Sequence, residues 1–119
     1  MHVSTTAFAA ALLLVSPALA ADVGGSYRAK GTNFDGSPYS GTATITPSSK
    51  TTCRIEWKTA GTSSAGFCML AGGALAAAYK LGDAVGLVLY KLEPDGSLSG
   101  VWTIADKSGS GTETLTPEK

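Results

Sequence analysis

Histidine is all but missing from this 119-residue chain: the single copy is His2, at the amino-terminal edge. Without it downstream, the rest of the chain lacks the side chain most used for proton transfer near neutral pH and for zinc ligation, so catalytic triads, dyads and histidine-based zinc sites are excluded together. No nucleophile elbow replaces them. Gly96-Ser97-Leu98-Ser99-Gly100 has leucine at its centre, and Gly61 to Gly66 is one residue too long. There is no P-loop and no dinucleotide fingerprint. Asn33-Phe34-Asp35-Gly36 matches a fragment of a calcium loop but lacks the third oxygen ligand and the closing Glu, which leaves turn chemistry as its explanation. An excess of one charge is missing too. Nine basic residues balance nine acidic ones with no long run of either sign, so nothing draws the chain electrostatically to nucleic acid or an anionic membrane. Long hydrophobic runs are also missing. The longest, Ala7 to Val15, falls well short of the roughly 20 apolar residues needed to span a membrane as a helix.

That short run sits in Met1 to Ala20 and is followed by Ser16-Pro17 and then by Ala18-Leu19-Ala20, the small-x-small pattern accepted by signal peptidase. Residues 1–20 are therefore expected to be a signal peptide cleaved after Ala20, and residues 21–119 a single periplasmic or secreted domain. The leader departs from the usual pattern in having no Lys or Arg before its apolar run, and no Cys near the cleavage site provides for lipid attachment.

Cysteine is scarce, with only Cys53 and Cys68, both beyond the leader. In a small exported domain such a pair reads as a disulfide, and in the chain-entropy account a fifteen-residue loop closed this way contributes about 3 kcal/mol. The alternative is two buried thiols serving as small apolar residues.

Between the absences lies a regular pattern of short segments rich in Thr, Ser, Tyr, Val, Ile and Trp, separated about every ten residues by Gly, Pro, Asp and Asn clusters. It predicts an all-β antiparallel meander of eight strands, near 26–32, 39–46, 51–58, 64–70, 74–80, 85–92, 98–105 and 111–116, forming a small up-and-down barrel or a strongly curved sheet. Segment 74–80 could also form a short helix by propensity. Asp35-Gly36 and Asp95-Gly96 supply the positive φ of tight hairpins. A faint repeat links Asp35-Gly36-Ser37 and the strand after it to Asp95-Gly96-Ser97 and its strand, with Gly41, Ala43 and Ile45 sharing one face and Gly100, Trp102 and Ile104 sharing another. Cys53, Ile55 and Trp57 alternate with Arg54, Glu56 and Lys58, so a turn over 59–62 sets Cys53 opposite Cys68, Ile55 opposite Gly66 and Trp57 opposite Ser64. With a four-residue loop the cysteines fall at a non-hydrogen-bonded pair. Residues 74–79 and 85–90 are apolar on both faces, which fits a covered outer face, a self-association surface, or simply exposed alanine.

The acids are scattered: Asp22, Asp35, Asp83, Asp95 and Asp106 fall in or near turns, and Glu56 reads as the one mid-strand acid, on the wet face. No catalytic pair is expected, and no cofactor or metal site. The chain reads as a non-enzyme. What remains is a set of aromatics on the inner faces, namely Tyr27, Tyr39, Trp57, Tyr79 or Tyr90, and Trp102. Their apolar bodies and polar tips suit a ligand cup as well as they suit a core. The expected partner is a small apolar ligand or a protein surface, with the domain a monomer or weak homodimer. A structural envelope role is the remaining possibility.

The strings from Gly31 to Gly41, Cys53 to Trp57, Gly86 to Tyr90, Pro94 to Leu98 and Gly111 to Pro117 resemble a group of short exported bacterial proteins, mostly uncharacterised and some labelled fibronectin-binding. The resemblance covers nearly all of residues 21–119. It implies a compact exported β domain and transfers no site residue. At the level of architecture alone the meander is similar to avidin-like and lipocalin-like barrels. Size, compartment and one disulfide are similar to periplasmic metalloprotease inhibitors, in which Ala21 to Gly25 would be the inhibitory arm.

Overall fold

A computed structural model describes residues 18–118. After a single helical turn, α1 (Ala20–Val23), come eight strands: β1 (Gly25–Thr32), β2 (Pro38–Pro47), β3 (Thr52–Thr59), β4 (Thr62–Ala71), β5 (Ala74–Leu81), β6 (Ala84–Leu92), β7 (Leu98–Ile104) and β8 (Gly111–Pro117). Each strand pairs antiparallel with the next, and β1 pairs with β8, so the meander closes into a barrel rather than ending in a curved sheet. Segment 74–81 is a strand, its small alanines fitting between β4 and β6.

Period-two alternation places the core. Along β3, Cys53, Ile55 and Trp57 are buried while Arg54, Glu56 and Lys58 face out. Cys53 lies opposite Cys68, Ile55 opposite Gly66 and Trp57 opposite Ser64, and the disulfide is formed across β3 and β4. The hairpin turn is tighter than a four-residue loop. Thr59 pairs with Thr62 around Ala60 (φ 50°) and Gly61 (φ 77°), the two positive φ values of a type I′ turn. The Leu70 amide donates to the Thr51 carbonyl. Counting residues in twos from that bond puts Cys53 and Cys68 at a hydrogen-bonded pair, not the non-hydrogen-bonded one expected from the longer loop, with Cα atoms 4.9 Å apart.

The two Asp-Gly turns are built alike, in keeping with the repeat. Asp35 accepts from the Ser37 amide and hydroxyl, and Asp95 accepts from the same groups of Ser97.

In an up-and-down barrel alternate turns share an end. The turns around 33–37, 60–61, 82–83 and 105–110 form one rim, here called the mouth. The opposite end, the floor, carries the turns around 48–51, 72–73 and 93–97 together with α1. There Ala20 and Val23 are buried, the Ala20 amide donates to the Lys50 carbonyl, and the Tyr27 hydroxyl donates to the Val23 carbonyl at 2.6 Å. Above α1 the floor half is packed with Ile45, Ile55, Leu75, Leu98 and Leu115.

The barrel's outside is two-sided. β1, β2 and β8 present Thr, Ser, Arg and Lys, whereas Phe67 and Met69 of β4, Leu87 and Leu89 of β6 and Val101 of β7 stand exposed around Ala76 and Ala78 of β5. Among the described residues no segment covers this wall.

Candidate functional site

The mouth half is shaped by a recurring pair, in which an aromatic ring lies across the face of a glycine on the neighbouring strand. Tyr79 is opposite Gly86, and a β-carbon on that glycine would fall 2.0 Å from the Tyr79 ring. The same clash would arise between Gly31 and Tyr39, Gly100 and Tyr90, and Gly111 and Trp102. Missing side chains thus let large rings lie flat against the wall and leave space at the centre.

That space is a cavity of about 220 Å³ opening at the mouth. Trp57, Tyr90 and Val88 form its depth, Tyr39, Tyr79 and Trp102 its sides, and Asn33, Thr59, Ala60, Thr62, Ser64 and Leu81 its upper part. The Trp57 and Tyr79 rings are 4.8 Å apart, Tyr39 meets Trp102 edge-on at 6.4 Å, and Phe34 stacks on Trp102 at 5.0 Å from the rim.

At the centre of these rings is Glu113 of β8, only 6% exposed and the one buried charged side chain among the described residues. Three neutral donors hold it. The Tyr39 hydroxyl donates to Oε1 at 2.9 Å, the Trp57 indole donates to Oε2 at 3.0 Å, and the Tyr90 hydroxyl donates to Oε2 in a short bond. The carboxylate's effect on its neighbours is electrostatic as well. Burial first, and the Glu113 charge second, push the Tyr79 phenol up to about 12, and the same two causes raise Tyr39 and Tyr90 further.

Of the aromatics expected to form the cup, Tyr39, Trp57, Tyr90 and Trp102 converge on this cavity, and Tyr79 joins them alongside Tyr90 rather than replacing it. Tyr27 does not. It points into the floor, where its hydroxyl is spent on α1, and it takes no part in the cavity. Glu56 faces solvent as expected, but it is not the only mid-strand acid. Glu113 is a second, and its signal lies in Gly111-Thr112-Glu113-Thr114-Leu115-Thr116: three threonines on one face leave the glutamate between Gly111 and Leu115 on the other.

The arrangement offers one carboxylate ringed by phenols and indoles, with no second acid or thiol among the described residues that line the cavity. Such a site can bind and orient a molecule.

No protein family and no curated protein matches the chain. Solved structures do. A redesigned β-barrel superposes with a TM-score of 0.74 at 20% identity, over 87% of this chain and 98% of the other. The redesigned barrel mFAP1, bound to DFHBI, gives 0.70 at 20% identity, over 83% and 98%. A mutant of the fluorescent protein UnaG gives 0.54 at 10% identity, over 83% and 98%. At such identities the likeness is one of fold, and the chain is similar to these proteins as a closed β-barrel.

Proposed function

We propose that this chain is an exported, non-catalytic binding domain that takes a small molecule into the mouth of its barrel. The observation that carries the reading is the cup itself: one end of the barrel is filled with aliphatic side chains and closed by the buried Val23, while the other keeps an open aromatic cavity. Burying rings against a wall stripped of β-carbons around an empty centre forgoes the packing that a core-only role favours. Superposable barrels include one solved with a small ligand, DFHBI, which supports a binding role for this architecture. Export rests on the leader pattern of residues 1–20, most of which lies outside the described residues, and on the disulfide, a bond typical of oxidising compartments.

The rival inhibitor reading needs Ala21 to Gly25 as a free arm. Those residues instead run through α1 into β1, with Val23 buried.

The test is native mass spectrometry of the protein recovered from its own exported fraction, followed by calorimetric titration with a panel of compact aromatic and aliphatic molecules, charged and neutral. The expected result is a retained small molecule, or micromolar-to-millimolar binding of panel members that Trp57→Ala abolishes. A bare protein that binds no member of the panel ends the proposal.

A further inference from the structure

The chemistry inside the cup selects among ligands. Glu113 carries a charge into a buried setting, and each of its three partners is a neutral donor. Hydrogen bonds from neutral groups lower the cost of burying a carboxylate without cancelling its charge; buried charges are ordinarily paired. Among the described residues no lysine, arginine or histidine lines the cavity, and every lysine and arginine of that set lies on the outside of the barrel. The three donors also leave one acceptor position free, because a carboxylate has about four lone-pair sites, two on each oxygen. Oε2 takes two bonds and Oε1 takes one.

Around that acceptor stand the aromatic side chains of Trp57, Tyr79, Tyr39 and Trp102. Aromatic faces carry negative potential and attract cations within about 6 Å, most strongly when the cation is desolvated. Tyr79, whose phenol is raised by burial first and by the Glu113 charge second, faces that carboxylate across the cavity without hydrogen-bonding to it. An anionic ligand would meet this charge directly, and a neutral apolar one would bury it without compensation.

We infer that the cup is built for a compact organic cation, a protonated amine or quaternary ammonium group seated between Glu113 and the surrounding aromatic rings. This rests on the small-molecule reading above and narrows it to one chemical class. The size agrees: at about 220 Å³ the cavity is smaller than the ~300–1,000 Å³ of sites for drug-sized ligands, and it suits a head group more than an extended molecule.

Two matched pairs of probes test it by calorimetry: choline against its neutral carbon analogue 3,3-dimethylbutan-1-ol, and benzylammonium against benzyl alcohol. The wild-type protein is expected to bind the charged member of at least one pair tenfold or more tightly than the neutral one. Glu113→Gln should bring that pair to within threefold. The amide can keep its oxygen toward Trp57 and Tyr90 and turn its NH2 to the Tyr39 hydroxyl, which can also accept. Should Glu113→Gln fail to fold by circular dichroism, Tyr79→Leu serves instead, since Tyr79 makes no hydrogen bond to Glu113; it should weaken the cation several-fold and the neutral partner little. If neutral members bind as well as charged ones, or if a folded Glu113→Gln variant keeps the preference, the cation inference is overturned while the small-molecule reading stands. If no probe and no member of the wider panel binds, both fall.

Discussion

Every tyrosine in the chain is held away from its ordinary ionisation. Tyr27 is raised by burial against the floor, and Tyr39, Tyr79 and Tyr90 by burial and by Glu113. A group whose folded pKa is raised adds stability that is complete below its unfolded value, near 10 for tyrosine, and that disappears as pH climbs through the folded value. For Tyr79 that window runs from about 10 to about 12. Absorbance titration at 295 nm should accordingly show less phenolate at pH 10 in the folded protein than in the denatured chain, followed by a steep, cooperative rise as the barrel opens in stronger base. A smooth titration of one or more tyrosines centred at 10 would mean that the rings are not buried around the carboxylate as described. The same residues show where sequence alone falls short. Tyr27 and Tyr39 follow the same inward alternation, and only closure of the barrel reveals that one faces the floor and the other the mouth. Glu113 was legible in principle from its threonine neighbours, but a lone glutamate is ordinarily a solvent-facing residue and gives no further sign of being inside.

At the scale of strands and turns the sequence was far more readable, because β structure in this chain is punctuated by chemistry that has few other uses. The Asp-Gly turns mark two hairpins, and the alternation of Cys53, Ile55 and Trp57 with three charged residues sets both the face and the register of β3. Less legible was loop length. Ala60 is an uncommon residue for a positive φ, so nothing in the sequence announces a two-residue turn there, and the hydrogen-bonding parity of the disulfide, which depends on that loop length, differs from the one expected. The apolar stretches in β5 and β6 leave open what lies on the outer face, and among the described residues no segment covers it. Leu89 is 59% exposed whereas Ile55 is fully buried. Urea denaturation should therefore find Leu89→Thr within about 0.5 kcal/mol of wild type and Ile55→Ala destabilised by about 2–5 kcal/mol. A large loss at Leu89 would show that the outer wall is covered in solution.

For the whole molecule the decisive contact is the one most distant in sequence, between β1 and β8. Tyr27 pairs with Pro117 and Thr32 with Thr112, and the Glu118 amide adds a bond to the Ser26 carbonyl. Closing that seam leaves no sheet edge exposed, and it can form only after a long loop of chain has been ordered. The disulfide shortens the search by pinning β3 to β4 near the middle of the chain. Replacing both cysteines by alanine should lower unfolding stability by about 3 kcal/mol in equilibrium denaturation, and reductant should have no effect on the replaced protein. A loss in wild type well under about 1 kcal/mol on reduction would indicate that the barrel's own packing suffices. The cup also has an optical consequence. Trp57 and Trp102 are the only tryptophans in the chain, and both line the same cavity. The entire indole emission of the protein therefore arises within a few ångströms of where a guest would sit, which makes the barrel its own fluorescent gauge of occupancy with no label attached.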